Sequence, residues 1–146
     1  MSVFNGLEIN ASGLALERLK LDTISTNIAN VNTTHTAEGG AYKSKTVQFS
    51  ESLKNAQAAG ESNTGVGSQM SYGVKVTGLS QDNTDKVEYD PTNADADQNG
   101  YVHMSNVNLS DQMVNMIQTM RTYEANTSAA ESNKDILKKA LEISKS

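Results

Sequence analysis

The segment Leu7–Val31, with the sequence LEINASGLALERLKLDTISTNIANV, decides the fold of this chain. Apolar residues recur in it at intervals of seven, with others at the three-residue steps between them, which is the spacing of one apolar stripe on a coiled-coil helix. Polar residues and the pair Gly39-Gly40 follow the segment and indicate a loop. We therefore predict an N-terminal helical segment over residues 1–34. Its stripe consists of Leu7, Leu14, Leu21, Ile24, Ile28 and Val31.

Two glycines lie in the first turns of this helix, at Gly6 and Gly13. A glycine inside a helix is less favourable than alanine by about 1 kcal/mol. We therefore expect the beginning of the helix to become ordered only when it docks on a partner.

The C-terminal residues carry a second stripe, whose steps alternate between four and three residues. Asn108 is suited to cap this helix, and Asp111 lies three positions later, as in a variant of the capping box. The predicted helical segment covers residues 108–146. Its interaction stripe consists of Met113, Met116, Met120, Tyr123, Leu137 and Leu141. The methionines on the stripe are either ordinary core or an adaptable interface, because Met fits differing neighbours.

Residues 35–107 form an insert of a different kind. Lys43–Phe49 and Tyr72–Leu79 have the composition and alternation of strands, and Val87–Tyr89 is expected to pair back across the turn that precedes it. Residues 50–71 are rich in Gly, Ser, Ala, Asn and Gln and are predicted to be a mobile loop.

The predicted fold class is mainly α. Two long terminal helices pair as an antiparallel coiled-coil hairpin, with a small irregular β-containing insert between them. Two helices alone give a thin core, so we expect other copies of the chain to complete the packing.

Composition narrows the function. The chain has 146 residues, a formal net charge of −5, no Cys and no Trp. An acidic chain lacks the basic patch that nucleic-acid binding needs. The absence of Cys excludes thiol catalysis and a Cys zinc site. The first residues lack the pattern of a cleaved signal peptide, and no stretch is apolar enough to span a bilayer.

One acidic stretch imitates the beginning of a calcium-binding loop. Asp95, Asp97 and Asn99 alternate and are followed by Gly100, but the twelfth position is Asn106 instead of a bidentate Glu. We favour a turn that leads into a strand. His35 and His103 are isolated from other ligand-type residues, and no nucleophile is in a catalytic context. We therefore predict no metal, no cofactor, no small-molecule substrate and no enzymatic activity.

Several segments in order resemble the flagellar basal-body rod protein family, and within it the proximal rod proteins. They are STNIANVNT at residues 25–33, THTAEGGAYK at 34–43, YDPTNADADQNGYVHMSNVN at 89–108 and QMVNMIQTMRTYEAN at 112–126. Family positions occupied by Pro in many members are Ala41 and Ser105 here. The resemblance marks as motif residues Asn27, Ile28, Ala29, Asn30, Asn32, Thr33, Tyr123, Glu124, Ala125 and Asn126.

The resemblance implies a structural subunit of the rod, the helical shaft in the periplasmic space. The implied partners are other copies of the chain, other proximal rod proteins, the distal rod protein, adaptor components between the rod base and the MS ring, and the flagellar type III export apparatus. Export without a cleaved signal peptide is also implied. The asparagines Asn27, Asn30 and Asn32 are expected either to cap the helix end or to hydrogen-bond across subunits. For Asn126 we expect a hydrogen bond across the helices.

Two other functions remain open from the sequence. One is a calcium-responsive binding module built on Asp95–Asn106. The other is a soluble intracellular coiled-coil adaptor, which a stable and fully helical monomer or dimer would support.

Overall fold

The computed structural model of the protein describes residues 3–55 and 69–143. Two pairs of strands lie between the terminal helices along the chain, as predicted. Along the chain the elements are α1 (Val3–Ala29), β1 (Lys45–Asn55), β2 (Gln69–Gln81), β3 (Lys86–Tyr89), β4 (Tyr101–Met104) and α2 (Leu109–Ile143). Neither helix has a stretch apolar enough to cross a lipid bilayer within the described residues.

The start of α2 has the predicted cap. Asn108 Oδ1 accepts a hydrogen bond from the N–H of Ser110 at 3.0 Å, and the Asn108 carbonyl accepts one from the N–H of Gln112 at 3.0 Å. The bond from Ser110 satisfies an N–H group that has no partner inside the helix, and the bond from Gln112 is the first bond between residues four apart in the helix. Helix α1 ends at Ala29, so Val31, which was assigned to its stripe, lies in the turn of residues 30–32 that follows the helix.

The strands form two separate pairs, β1 with β2 and β3 with β4. The β3–β4 pair is antiparallel, with Tyr89 opposite Tyr101. The rings of these two tyrosines meet edge-to-face, with their centroids 5.3 Å apart. The expectation that Val87–Tyr89 pairs back was wrong. The two ends of the segment that follows β3 are joined, because the N–H of Asp90 donates a hydrogen bond to the carbonyl of Gly100 at 3.0 Å. This bond brings β3 beside β4.

The prediction of a loop over residues 50–71 was wrong at both ends. Strand β1 continues to Asn55 and β2 begins at Gln69, so both ends of that stretch are in strands. Residues 56–68 lie outside the described part of the chain. Backbone pairing between strands overrides the weak strand propensity of Ser, Asn and Gln.

The chain divides into two compact units. Unit 1 comprises Met1–Arg18, Phe49–Thr77 and Thr122–Ser146, and unit 2 comprises Leu19–Gln48 and Gly78–Arg121. Each helix contributes residues to both units.

In unit 1, α1 contacts α2 on one side and β2 on another. A Cβ built on Gly13 would lie 3.0 Å from Asn126 Nδ2, so the two helices approach closely there. On the other side, Ser12 Oγ accepts a hydrogen bond from the N–H of Val74 at 3.2 Å. Leu16, which is not on the predicted stripe, is the buried apolar residue of α1 in this unit.

Unit 2 contains a small mixed core. Val102 from β4 is 1% exposed, and its neighbours in the core come from the helix, the loop after it and the strands. The buried apolar residues are Ile24, Ala41, Tyr42, Val47, Val102 and Val107. A core of this size contributes little free energy of folding, so its polar contacts carry more of the specificity.

Candidate functional site

The centre of unit 2 is the side chain of Asn27, which is 1% exposed. Its Oδ1 accepts hydrogen bonds from the Tyr42 hydroxyl at 2.9 Å and from the N–H of Lys45 at 3.0 Å. Its Nδ2 donates to the carbonyl of Lys45 at 2.8 Å and to Gln112 Oε1 at 3.1 Å. Two acceptor sites and two donors are the full capacity of an asparagine amide. One side chain therefore joins α1, the loop, β1 and α2.

The loop after α1 brings Tyr42 to this position. Gly39 and Gly40 both have positive φ, at 90° and 79°, which lets the chain reverse there. The N–H of Thr36 donates to the Gly40 carbonyl at 2.9 Å, and the N–H of Tyr42 donates to the Thr33 carbonyl at 3.0 Å. Burial raises the pKa of the Tyr42 phenol, so the hydroxyl stays protonated and able to donate.

The other motif residues near the end of α1 act locally. Asn30 Nδ2 donates to the Thr26 carbonyl at 2.9 Å, and Asn30 Oδ1 accepts from the Thr33 hydroxyl at 3.2 Å. Asn30 therefore pairs a backbone carbonyl in the last turn of α1 and connects the helix to the residues that follow it. Asn32 and Ala29 are exposed, and Ile28 is half-buried. All four bonds of Asn27 described above lie within the chain.

A second asparagine connects the loop after α1 to the segment after β4. Asn106 Oδ1 accepts from the N–H of Ser44 at 2.7 Å, and its Nδ2 donates to the Asp82 carbonyl at 2.9 Å. From the sequence, Asn106 was interpreted only as the twelfth position of a calcium-like loop, and neither this role nor those of Gln112 and Tyr42 were predicted. No signal in the sequence indicated the role of Asn106, because only the fold shows that its neighbours Ser105 and Val107 are buried.

Most residues of the α1 stripe are enclosed. Ile24 is buried, and half-buried positions are Leu7, Leu14, Leu21, Ile28 and Val31. The α2 stripe is divided between two environments. Met116 and Leu137 are half-buried, whereas Met113, Met120, Tyr123 and Leu141 are exposed. The side of α2 that contacts α1 instead carries Gln112 and Asn126, which lie off the predicted stripe.

The C-terminal motif residues differ in exposure. Tyr123, Glu124 and Ala125 are exposed, while Asn126 is half-buried against the backbone of Gly13. Asn126 thus packs closely across the two helices.

The calcium-like stretch is a series of turns. Asp97 Oδ1 accepts from the N–H of Asn99 at 2.8 Å and from that of Tyr101 at 2.9 Å. These bonds lower the pKa of Asp97, and the bond from Tyr101 has the largest effect. The predicted turn leading into a strand is confirmed, since β4 begins at Tyr101. Within residues 3–55 and 69–143, no three acidic, His or Cys side chains are grouped so as to hold a metal ion.

An ionic cluster lies at the surface of unit 2. Lys43 Nζ bonds Asp85 Oδ1 and also donates to the Thr84 carbonyl at 3.0 Å, and His103 Nδ1 lies 3.7 Å from Asp85 Oδ2. Lys43 lowers the pKa of Asp85. Since Asp85 is open to solvent, this cluster positions the loop and strands rather than creating a reactive group.

Both terminal segments of the chain match families of flagellar basal-body rod proteins. Residues 7–34 match the family described as flagella basal body rod protein, and residues 98–143 match the family described as flagellar basal body rod FlgEFG protein C-terminal. The chain is similar to the flagellar basal-body rod protein FlgC of Borreliella burgdorferi, at 36% identity over 98% of both chains. Its identity to FlgC of Bacillus subtilis is 36% over 99% of this chain and 100% of the relative. For FlgC of Salmonella typhimurium it is 31% over 98% of both.

Proposed function

The chain belongs to the FlgC family of flagellar basal-body rod proteins, and from this membership we propose how it takes part in the rod. It is a structural subunit of the rod and not an enzyme, as are its relatives. In the proposal it is part of the proximal rod and polymerises helically with copies of itself and with other rod proteins. The assembled subunits form the periplasmic drive shaft and the wall of the export channel.

The proposed subunit pairs α1 and α2 as an antiparallel coiled-coil hairpin. Support comes from contacts inside each unit, Gly13 with Asn126 in unit 1 and Asn27 with Gln112 in unit 2. Asn27 lies two heptads after Gly13, and Gln112 lies two heptads before Asn126. Equal steps in opposite directions are what antiparallel helices with a seven-residue repeat require.

The exposed apolar face at the start of α2 carries the proposal of polymerisation. The spacing of its residues marks an apolar stripe on α2, yet the buried residue within the described part of the helix is Thr119. Five large apolar side chains on it are between 40 and 53% exposed, namely Leu109, Met113, Val114, Ile117 and Met120. Apolar side chains gathered in this way mark a contact surface. Methionine adapts to neighbours of different shape, which suits a subunit that meets several kinds of rod protein.

Further parts of the proposal follow from the family alone. The partners are other copies of the chain, other proximal rod proteins, the distal rod protein and adaptor components at the rod base. Delivery is by the flagellar type III export apparatus without a cleaved signal peptide, and the final location is the rod in the periplasmic space.

The experiment replaces Met113 and Ile117 by glutamate and measures incorporation into isolated basal bodies, together with swimming motility. Burying two carboxylates against an apolar neighbour is unfavourable, so incorporation should fall at least about tenfold. Asn115→Glu is the matched control, because it adds charge to the same exposed turns outside the apolar face. Hydrogen exchange of the Val102 amide should be unchanged in all variants. Normal incorporation of the double variant would contradict this surface.

A further inference from the structure

We propose that two glycine–asparagine pairs, Gly6 with Asn133 and Gly13 with Asn126, set the register in which α1 and α2 pair. The proposal rests on the helix pairing proposed above. All four residues belong to unit 1 and are half-buried. The two glycines are seven residues apart on α1, and the two asparagines are seven residues apart on α2. We call these four residues the Gly–Asn seam.

Each asparagine amide occupies space that a side chain on α1 would need. A Cβ built on Gly13 would lie 3.0 Å from Asn126 Nδ2, and one built on Gly6 would lie 3.3 Å from Asn133 Nδ2. Both distances are shorter than ordinary van der Waals contacts of a Cβ. Glycine therefore admits the amide at both positions, and this explains why α1 contains two residues that weaken it as a helix.

The apolar stripe of α1 cannot choose the register by itself. Leu7, Leu14, Leu21 and Ile28 repeat every seven residues. Sliding α2 by one heptad would leave the same aliphatic pattern of α1 opposite it, at nearly equal free energy. A coiled coil with such a stripe needs a polar or small residue to distinguish one register from the next.

The Gly–Asn seam removes this ambiguity. Both asparagines face glycines in one register alone, and a slip of seven residues leaves at most one such pair. A slip in one direction sets Asn126 against Lys20, whose long side chain leaves no notch for the amide. A slip in the other direction sets Gly13 against Thr119 and leaves Asn133 without a glycine. Each slipped register thus forces an amide out of its fitted position, at a cost in packing and desolvation.

The first test compares two variants that differ by one side chain. Gly13→Ala should reduce incorporation into rods at least about tenfold, because the new methyl group meets the Asn126 amide. Gly13→Ala combined with Asn126→Ala restores the space and should recover most of the loss. If the double variant is no better than Gly13→Ala, the steric basis of the proposal is wrong.

The second test reads the register directly by disulfide formation in assembled rods. The chain contains no Cys, so engineered pairs report without background. Lys20→Cys with Thr119→Cys reports the proposed register, because these positions lie one heptad on from Gly13 and Asn126. Lys20→Cys with Gln112→Cys reports a slip of seven, and Gln112→Ala is added to the 20–119 reporter so that both reporters lack the bond between Gln112 and Asn27. Disulfides need Cα atoms within about 7 Å, so each pair is selective for its register.

Each reporter is examined with the natural seam and with all four seam residues changed to alanine. The natural seam should give the 20–119 bond in at least about tenfold excess, and the alanine seam should give both bonds within about threefold of each other. An alanine seam that still gives the 20–119 bond alone, or that forms no rods, overturns the proposal but leaves the helix pairing. Absence of the 20–119 bond with the natural seam overturns the helix pairing itself.

Discussion

The side chain of Asn27 hydrogen-bonds both backbone groups of Lys45, donating from Nδ2 to the carbonyl at 2.8 Å and accepting at Oδ1 from the N–H at 3.0 Å. The amide of a helix residue thus takes the place of a neighbouring strand at the first residue of β1. This explains why a motif at the end of α1 controls the position of a segment that follows it by many residues.

Asn27→Ala should destabilise unit 2 by about 2–4 kcal/mol, because the buried partners of the amide would lose their bonds while remaining away from water. Asn27→Asp should also destabilise it, since a carboxylate oxygen would face the carbonyl of Lys45. Amide hydrogen exchange of residues 40–48 measures the effect. Asn32→Ala is the matched control, because Asn32 belongs to the same motif but is exposed. Equal protection in the Asn27 and Asn32 variants would show that the Asn27 amide does not hold the loop.

Raising the pH should weaken unit 2 through Tyr42. Burial raises the pKa of Tyr42 above its usual value of about 10, so the folded state binds the phenolic proton more tightly than the unfolded state. The contribution of Tyr42 to the free energy of unfolding is complete below about pH 10 and is lost as the pH rises from there through the pKa of the folded state. Urea unfolding measured from about pH 8 to about pH 11 should show this decline. Tyr42→Phe should remove that part of the slope, and exposed Tyr89→Phe should retain it. An unchanged slope in Tyr42→Phe would assign the decline to other groups.

Lowering the pH should loosen the turn before β4 through Asp97. Hydrogen bonds to its carboxylate, first that from the N–H of Tyr101, place its pKa below the usual value of about 3.9. The contribution of the Asp97 carboxylate to the stability of the turn is therefore complete above about pH 4 and is lost as the pH falls through the pKa of the folded state. The chemical shift of the Tyr101 amide proton should follow this titration. Asp97→Asn keeps an acceptor oxygen without the charge, so a titration that persists in this variant would contradict the assignment.

Gly73→Ala should separate β2 from α1 in unit 1. Gly73 has a φ of 98°, and a Cβ there would overlap the Ser12 hydroxyl and lie 3.2 Å from Ile9 Cα. We expect a loss of about 2–4 kcal/mol, seen as faster hydrogen exchange of the Val74 amide. Gly78→Ala in the same strand is the control, because its Cβ would meet no atom within 4 Å. Adding Ser12→Ala to Gly73→Ala should recover only part of the loss, since the positive φ persists. Tolerance of Gly73→Ala equal to that of Gly78→Ala would contradict this close approach.

Much of the fold could be predicted from local patterns. Seven-residue spacing identified both helices, and Asn108 was recognised as the cap of α2 because capping depends on residues close in sequence. The pairing of β3 was mispredicted, since the sequence does not show that the turn after Tyr89 closes on itself. Of the candidate site, the motif around Asn27 was located, but its intramolecular bonds to distant residues were not foreseen.

The sequence by itself determined that this chain has a helix at each end, a strand-containing insert and the motifs of a rod protein, because these depend on periodicity and on short ordered segments. Tertiary structure alone decided which side of α2 contacts α1. The most apolar stripe was the natural expectation, but close approach at Gly13 and the bonding of Asn27 to Gln112 place polar residues there. Burial and hydrogen bonding between distant segments are properties of the folded chain as a whole. For that reason Met113 and Met120, which the spacing marks as a stripe, lie exposed at the surface of the folded chain.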